Sequence, residues 1–393
     1  MAVRERVWTT KGVEKKAWVC DYFDQKGKRH LKTFRTKKEA DAFDSKTHIE
    51  VLGRIHVADA DTVTVEKAGE LWLAACDGDL ERSTVDQYKQ HVELHINPFI
   101  GKKRLNEMTV PAVRHFLDTL KSEGRSVAMV RAVRVNLGAM LSDAQERGLV
   151  VVNAVKAKGR AKGRQHAEAR HKKKVEVGID IPTSAELKAI LAAAEGKARA
   201  FILTAAMTGM RASELRGLRW GDVDFVRAEI TVRQRADAYL EMGSPKSKNG
   251  RRTIPLPGPL VAALKEWKQD CPKGELGLVF PSGTGAIEYH SNIVHRWYHP
   301  PQIAAGVSID TGKRDKDGSP ILKPKYTGLH ALRHFYASWC INRPIDGGLG
   351  LPAKVVQDRL GHSSITVTLD TYSHLFERGD DGSLMDKAAA AFL

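Results

Sequence analysis

Cysteine is scarce in this chain of 393 residues. The four present are Cys20, Cys76, Cys271 and Cys340, and no two stand in a Cys-x-x-Cys spacing. That excludes a zinc ribbon and leaves no disulfide framework to read. Reduced, mostly buried thiols are expected instead. Long apolar runs are missing too. None approaches the roughly 18 residues a membrane span needs, and the first residues carry no apolar signal core. A soluble, cytoplasmic protein is the expectation, with no membrane partner. Acid is in short supply: 47 Asp and Glu stand against 63 Lys and Arg, for a net charge of +16. So basic a protein is expected to meet a polyanion, nucleic acid first. Apolar residues make up 42% of the chain, enough to build sizeable cores, and the length suits two or three domains.

What is present changes character along the chain. Residues 1–58 read as a small β-sheet followed by a helix. Arg6-Val-Trp-Thr, Ala17-Trp-Val-Cys-Asp-Tyr and His30-Leu-Lys-Thr-Phe have strand composition, and Thr36 with Glu39 has the spacing of a capping box. Arg4, Arg6, Lys11, Lys26, Lys28, Arg29, Lys32 and Arg35 lie on or beside the strands, where they either meet a DNA groove or face solvent. Residues 62–154 repeat apolar positions at helical spacing and predict a bundle of about four helices, interrupted at Asn97-Pro98. His91 and His95 stand at i, i+4 without further ligands nearby, so a nucleic-acid or surface role is expected rather than a metal.

Residues 155–180 form a basic linker. Lys156, Lys158, Arg160, Lys162, Arg164, Arg170, Lys172, Lys173 and Lys174 crowd together with Glu168 as the one acid among them. Such a segment is a solvated tether or a strap that neutralises phosphates on DNA. Residues 181–393 read as a larger mixed α/β domain with strands at Glu229-Ile-Thr-Val-Arg and Arg252-Thr-Ile-Pro-Leu. The fold class expected is therefore multidomain, mainly α with small β-sheets.

The last domain carries a series of cations that ends in a tyrosine. Arg211 follows Thr208-Gly-Met and begins a helix, and Glu214 lies three residues on, able to orient it. Lys246 and Lys248 lie in a turn expected to join the two strands as a hairpin, where an ammonium can reach a leaving oxygen. His330 and Arg333 share one helical face, with His334 and Tyr336 expected to point elsewhere. His362 follows Leu360-Gly, and Tyr372 closes the series. Each residue alone has a bland explanation, as an ion pair, a solvated lysine or a buried phenol. Together they can neutralise a phosphodiester while an oxygen nucleophile attacks it.

The segments Thr208-Gly-Met-Arg-Ala-Ser-Glu-Leu, Pro245-Lys-Ser-Lys followed by Arg252-Thr-Ile-Pro-Leu, Leu329-His-Ala-Leu-Arg-His-Phe, Leu360-Gly-His-Ser-Ser and Thr371-Tyr-Ser-His resemble, in order and distance, those of the tyrosine recombinases, or phage-type integrases. The resemblance covers 181–378 most fully and extends to 62–154 as a core-binding domain. The N-terminal module is similar to the arm-type DNA-binding modules of some integrases.

The resemblance implies a site-specific recombinase that integrates and excises a mobile element. Tyr372 would form a 3′-phosphotyrosyl link. Arg211, Arg333 and His362 would hold the phosphate oxygens, Lys246 would protonate the leaving 5′ oxygen, and His330 would help move the tyrosine's proton. Glu214 would support them. No metal, nucleotide or other cofactor is implied. The partners implied are duplex DNA at core and arm sites, a homotetramer on DNA, a DNA-bending host factor and a directionality factor. Lys248 stays open as an alternative to Lys246. Residues 306–326 look like an inserted hairpin and 343–352 like a second small insertion. The Ala-rich residues 384–393 are expected to dock on a neighbouring protomer. Alternatives are a type IB-like topoisomerase and a DNA-binding protein that has lost catalysis.

Overall fold

Three runs of β-branched and aromatic residues pair as an antiparallel sheet, β1 (Ala2–Thr10), β2 (Val13–Phe23) and β3 (Arg29–Phe34), in that order. The structure is a computed structural model that describes residues 2–10, 13–24, 27–54, 56–58, 61–157, 175–245, 248–376 and 389–390. The chain divides into two compact units, Met1–His166 and Ala167–Leu393.

In the first unit, Thr36 and Glu39 cap α1 (Lys37–Leu52) reciprocally, as their spacing predicts. The helix covers the sheet through Phe43, whose ring lies 5.1 Å from Phe34 and 5.7 Å from Tyr22. Buried His56 ties the end of the module back to it, bonding Tyr22 Oη at 3.1 Å and Glu50 at 2.9 Å. The basic set on the strands divides. Arg4, Arg6 and Arg35 are exposed. Arg29 is paired with Asp21, Lys28 bonds Asp61, and Lys32 lies over Phe43. Lys11 and Lys26 lie outside the described residues.

The helical part follows the expected pattern with two corrections. It comprises α2 (Val65–Cys76), α3 (Arg82–His91), α4 (Asn97–Ile100), α5 (Val110–Ser122) and α6 (Val127–Glu146) around Trp72, Ile96, Phe116 and Leu137. Asn97-Pro98 is not a break. A π-helical segment, Val92–Ile96, carries α3 into α4, and Pro98 is the second residue of α4, just past the irregular turn. His91 is not at the surface either. It is buried and bonded to Asn136 Nδ2 at 2.6 Å, because position 91 falls on the face that packs into the bundle.

The linker expectation rests on residues the structure largely does not describe. Lys156 is exposed, while Lys158, Arg160, Lys162, Arg164, Arg170, Lys172, Lys173 and Lys174 lie outside the described residues.

In the second unit, Thr183 and Glu186 form the capping box of α7 (Ser184–Ala193). Next comes α8 (Gly196–Thr208), buried on nearly every side, and then the short α9 (Ala212–Arg216). Strands β4 (Val223–Asp224), β5 (Glu229–Val232) and β8 (Arg252–Pro255) make one antiparallel sheet. The expected simple hairpin between β5 and β8 is wrong. A separate two-stranded ribbon, β6 (Arg235–Ala236) and β7 (Met242–Gly243), intervenes, so the lysines lie between β7 and β8.

Helices α10 (Gly258–Asp270), α11 (His290–Asn292) and α12 (His299–Ala304) follow, the last two joined by a π segment. Residues 306–326 do form a hairpin, β9 (Ser308–Arg314) with β10 (Pro320–Pro324). Lys325 and Tyr326 at its base bond Glu186, anchoring it to the start of α7. Then come α13 (His330–Ile341), α14 (Ala353–Leu360) and α15 (Ile365–Tyr372). No described helix is long and apolar enough to cross a membrane. Of the tail 384–393, only 389–390 are described.

Candidate active site

Gly209 ends α8 with a φ of 59°, and a Cβ there would come within 2.4 Å of the Tyr336 ring. Glycine is therefore required on two counts, left-handed backbone and close packing. The turn delivers Arg211 to the N-cap of α9. Its backbone N–H donates to Glu214 Oε2 at 2.9 Å and its Nη1 to Glu214 Oε1 at 2.8 Å, while Nη2 reaches the Gly361 carbonyl at 3.0 Å. The expected orienting role of Glu214 toward Arg211 has this geometry.

A second cation bears on Glu214, one whose segment belongs to the resemblance but to which sequence reasoning assigns no role. Arg252, on β8, donates to both carboxylate oxygens at 2.8 and 3.1 Å and to the Arg359 carbonyl at 2.7 Å. Glu214 is 2% exposed. Burial alone would raise its proton affinity, but Arg252 and Arg211 outweigh it and hold the carboxyl below its usual range. One buried carboxylate thus braces two guanidiniums from separate elements.

Arg333 lies on the inward face of α13, 3% exposed. It donates to the Gly209 carbonyl at 2.6 Å and the Leu360 carbonyl at 2.7 Å. Burial, then the neighbouring Arg211, press its proton affinity down to about 9, which leaves it a cation at neutral pH. Its two acceptors are the residues just before the Arg211 turn and just before Gly361. The arginine therefore stitches together the two loops that carry the rest of the set.

His362 follows Gly361, whose φ of 67° ends α14. Its Nδ1 meets Thr368 Oγ1 at 2.8 Å. Burial, then Arg333, Arg211 and Arg252, push the ring down to about 3, so it is neutral at physiological pH. In the tautomer in which Thr368 donates to Nδ1, the ring's single proton lies on Nε2, a donor suited to a phosphate oxygen. His330 opens α13 and is exposed. Desolvation, then Arg333 and Arg211, keep it below the usual histidine value.

Tyr372 is the last residue of α15 and is 2% exposed. Its ring lies 6.5 Å from that of His362, nearly parallel at 10°. Burial pushes the phenol up to about 12, and Arg333 pulls the other way. Its hydroxyl meets His334 Nδ1 at 2.7 Å. The expectation that His334 points elsewhere is therefore wrong. Residues i and i+4 on a helix stand about 40° apart, so His334 shares the face of His330, and their rings are 5.3 Å apart. The repeated histidine in His330-Ala-Leu-Arg-His was the available signal. Tyr336 does turn away, packing on Gly209.

Lys246 lies outside the described residues. The turn after it, Lys248–Gly250, is held at the site by Asn249, whose Nδ2 donates to the His362 carbonyl at 3.2 Å.

Elsewhere, in the first unit, donor atoms of Asp24, His30 and Asp61 lie within 4.8 Å of one another. Asp24 bonds His30 there and Lys28 bonds Asp61, so hydrogen bonds and one ion pair account for the cluster.

This site occupies a recognised family architecture. Residues 182–378 match the phage integrase family, and residues 64–121 match the N-terminal SAM-like domain of phage integrases. The chain belongs to the phage integrase family of tyrosine recombinases, and is a site-specific, DNA-breaking and rejoining enzyme of the integrase type. It is 26% identical over 375 residues to a XerC-like tyrosine recombinase of Caldanaerobacter subterraneus, covering 90% of each chain. It is also 26% identical to an integrase of Streptomyces ambofaciens, over 89% of this chain and 86% of that one. Among solved structures, the fold matches the Tn1549 transposon integrase in complex with a circular intermediate DNA. The TM-score is 0.62 at 18% identity, over 84% of this chain and all of that one. A lambda integrase dimer bound to a core site matches with a TM-score of 0.57 at 18% identity, over 95% of both chains.

Proposed function

We propose that Tyr372 is the nucleophile of this recombinase and attacks the scissile phosphorus to give a 3′-phosphotyrosyl link. Arg211 and Arg333 clamp the non-bridging oxygens, and His362 donates from Nε2. Lys246, or Lys248 in its place, protonates the departing 5′ oxygen, and His330 assists the transfer of the tyrosine's proton. Glu214 keeps Arg211 in position. The observation that carries this reading is the convergence of Arg211 and Arg333, from separate elements, on the Leu360–Gly361 turn that leads into His362, whose ring stacks beside the buried Tyr372 phenol. Fixed cations and a donor in a desolvated pocket stabilise the charge that builds on phosphorus. The ester retains the energy of the phosphodiester, so a 5′ hydroxyl reverses the step without a nucleotide cofactor.

At the level of the whole chain, residues 1–58 read arm-type sites, 62–154 the core site, and 155–180 pass along DNA phosphates between them. The catalytic domain is 181–393. The working assembly is a homotetramer on duplex DNA, joined by a DNA-bending host protein and a directionality factor, with the enzyme in the cytoplasm on the nucleoid. A lambda integrase tetramer bound to a Holliday junction supports the stoichiometry by likeness of fold. Relaxation of supercoils by a type IB-like enzyme would use the same chemistry. The two-part N-terminal half, one module for arm sites and one for the core, favours site-specific exchange.

Nicked duplexes carrying the DNA that flanks the gene test the reading. The wild type is expected to become covalently joined to one strand, and Tyr372→Phe to bind the duplex without joining it. An adduct formed by Tyr372→Phe would overturn the assignment.

A further inference from the structure

The geometry points to His334 as a catalytic residue of this site, the group that takes the proton of Tyr372 as the phenol attacks. The inference rests on Tyr372 being the nucleophile. Three observations carry it. The Tyr372 hydroxyl meets His334 Nδ1 at 2.7 Å, and no other partner of this hydroxyl is described. Tyr372 is 2% exposed, so bulk water is a poor alternative acceptor for its proton. His330, on the same face of α13, stands one ring beyond, with its centroid 5.3 Å from that of His334, and is itself exposed. The order phenol, His334, His330 leads from a closed interior to the surface.

A neutral imidazole can accept at Nδ1, and a phenol has one proton to give. In the step proposed, the Tyr372 O–H bond breaks and its proton passes to His334 Nδ1. The electron pair left on Oη forms the bond to phosphorus. The pair of the P–O5′ bond leaves with the 5′ oxygen, which takes a proton from the candidate lysine. His330 then assists through His334 rather than by touching the phenol.

The groups facing His334 explain when the proton moves. His330 and Arg333 flank it on its own helix, Tyr372 faces it from α15, and Asp180 lies ahead of α7. Burial, then His330 and Arg333, hold His334 down to about 4, while Tyr372 is pushed up to about 12. The proton therefore stays on the phenol until the field changes. A phosphodiester drawn between Arg211 and Arg333 offsets the cation that depresses His334 and raises its affinity for the proton. The arrangement ties nucleophile activation to occupancy of the phosphate site.

The test is the single-turnover rate of adduct formation on the nicked flanking duplexes, with His334→Ala and His334→Gln in the full chain. Glutamine can accept the phenol's hydrogen bond at Oε1 but cannot take its proton. His334→Ala is expected to slow adduct formation about 10²-fold, the usual scale of general base catalysis, and added imidazole to restore part of the rate. His334→Gln is expected to stay slow while the duplex is bound as before. If His334→Ala fails to fold, His334→Gln carries the test. A wild-type rate in either variant overturns the proposal. Failure of the underlying reading looks different: it is an adduct that survives Tyr372→Phe.

Discussion

The arginines of the N-terminal sheet and those of the catalytic unit are the same residue in opposite surroundings. Arg4 and Arg6 on β1 are exposed, and Arg29 on β3 is paired with Asp21 at the surface. In the catalytic unit Arg333 is 3% exposed, the Arg252 side chain is 6% exposed, and their acceptors are backbone carbonyls or the buried Glu214. Water and salt screen the first group, so each member sets little field at any point. Water cannot relax the second group, so its charge is aimed and retained. The difference separates cations suited to holding DNA from cations suited to changing its bonds.

The most severe way to break that comparison is Arg333→Ala. Losing one buried donor of this kind typically costs about 10²–10³-fold in rate. Adduct formation on nicked duplex should fall at least that far, and a loss of only a few-fold would put Arg333 among the merely binding cations.

Glu214→Gln comes next. It removes a buried charge while both guanidiniums remain, a change that costs about 3–5 kcal/mol in buried pairs. Urea unfolding of the full chain should show a correspondingly earlier transition. An unchanged midpoint would mean that Arg211 and Arg252 do not depend on it.

Acid should then reveal the buried histidines. Unfolded, each imidazole takes a proton near its ordinary 6.5, whereas in the fold His334 waits until about 4 and His362 until about 3. Protons thus favour the unfolded chain. The stability these rings contribute is whole above about pH 6.5 and drains away as the pH falls toward those folded values. Melting temperature should drop between pH 6.5 and 4 by more in the wild type than in His362→Asn, and equal drops would contradict the desolvation of His362.

The smallest effect is at the sheet. Replacing Arg4 and Arg6 together by alanine should flatten the salt dependence of DNA binding by about one unit of slope per arginine. An unaltered slope would remove the sheet from the proposed interface.

Much of the catalytic unit was legible because it rests on local chemistry. Thr183 and Glu186 announce a helix start three residues apart, Gly209 marks the turn before Arg211, and the spacing of His330 and Arg333 puts both on one face. The inserted hairpin at 306–326 was equally plain, since it pairs with itself. Harder cases involved partners distant in sequence. Arg252 shares Glu214 with Arg211 across 38 positions, and although its segment belongs to the resemblance, nothing in β8 tells which carboxylate it meets. The β6–β7 ribbon was hidden because two-residue strands leave no alternation to read. His334 was misplaced although its spacing was visible, because the partner that decides its orientation lies 38 residues away.

The order of the cations, the helix that carries two of them and the tyrosine that closes the series were determined by the sequence alone. Spacing, capping and turn chemistry act over a few residues and leave their mark in the chain itself. Only the tertiary structure decided which histidine touches the phenol, which cations share a carboxylate, and how far burial moves each proton affinity. Those depend on what lies within a few ångströms once distant segments pack, and desolvation has no signature in any single stretch of chain.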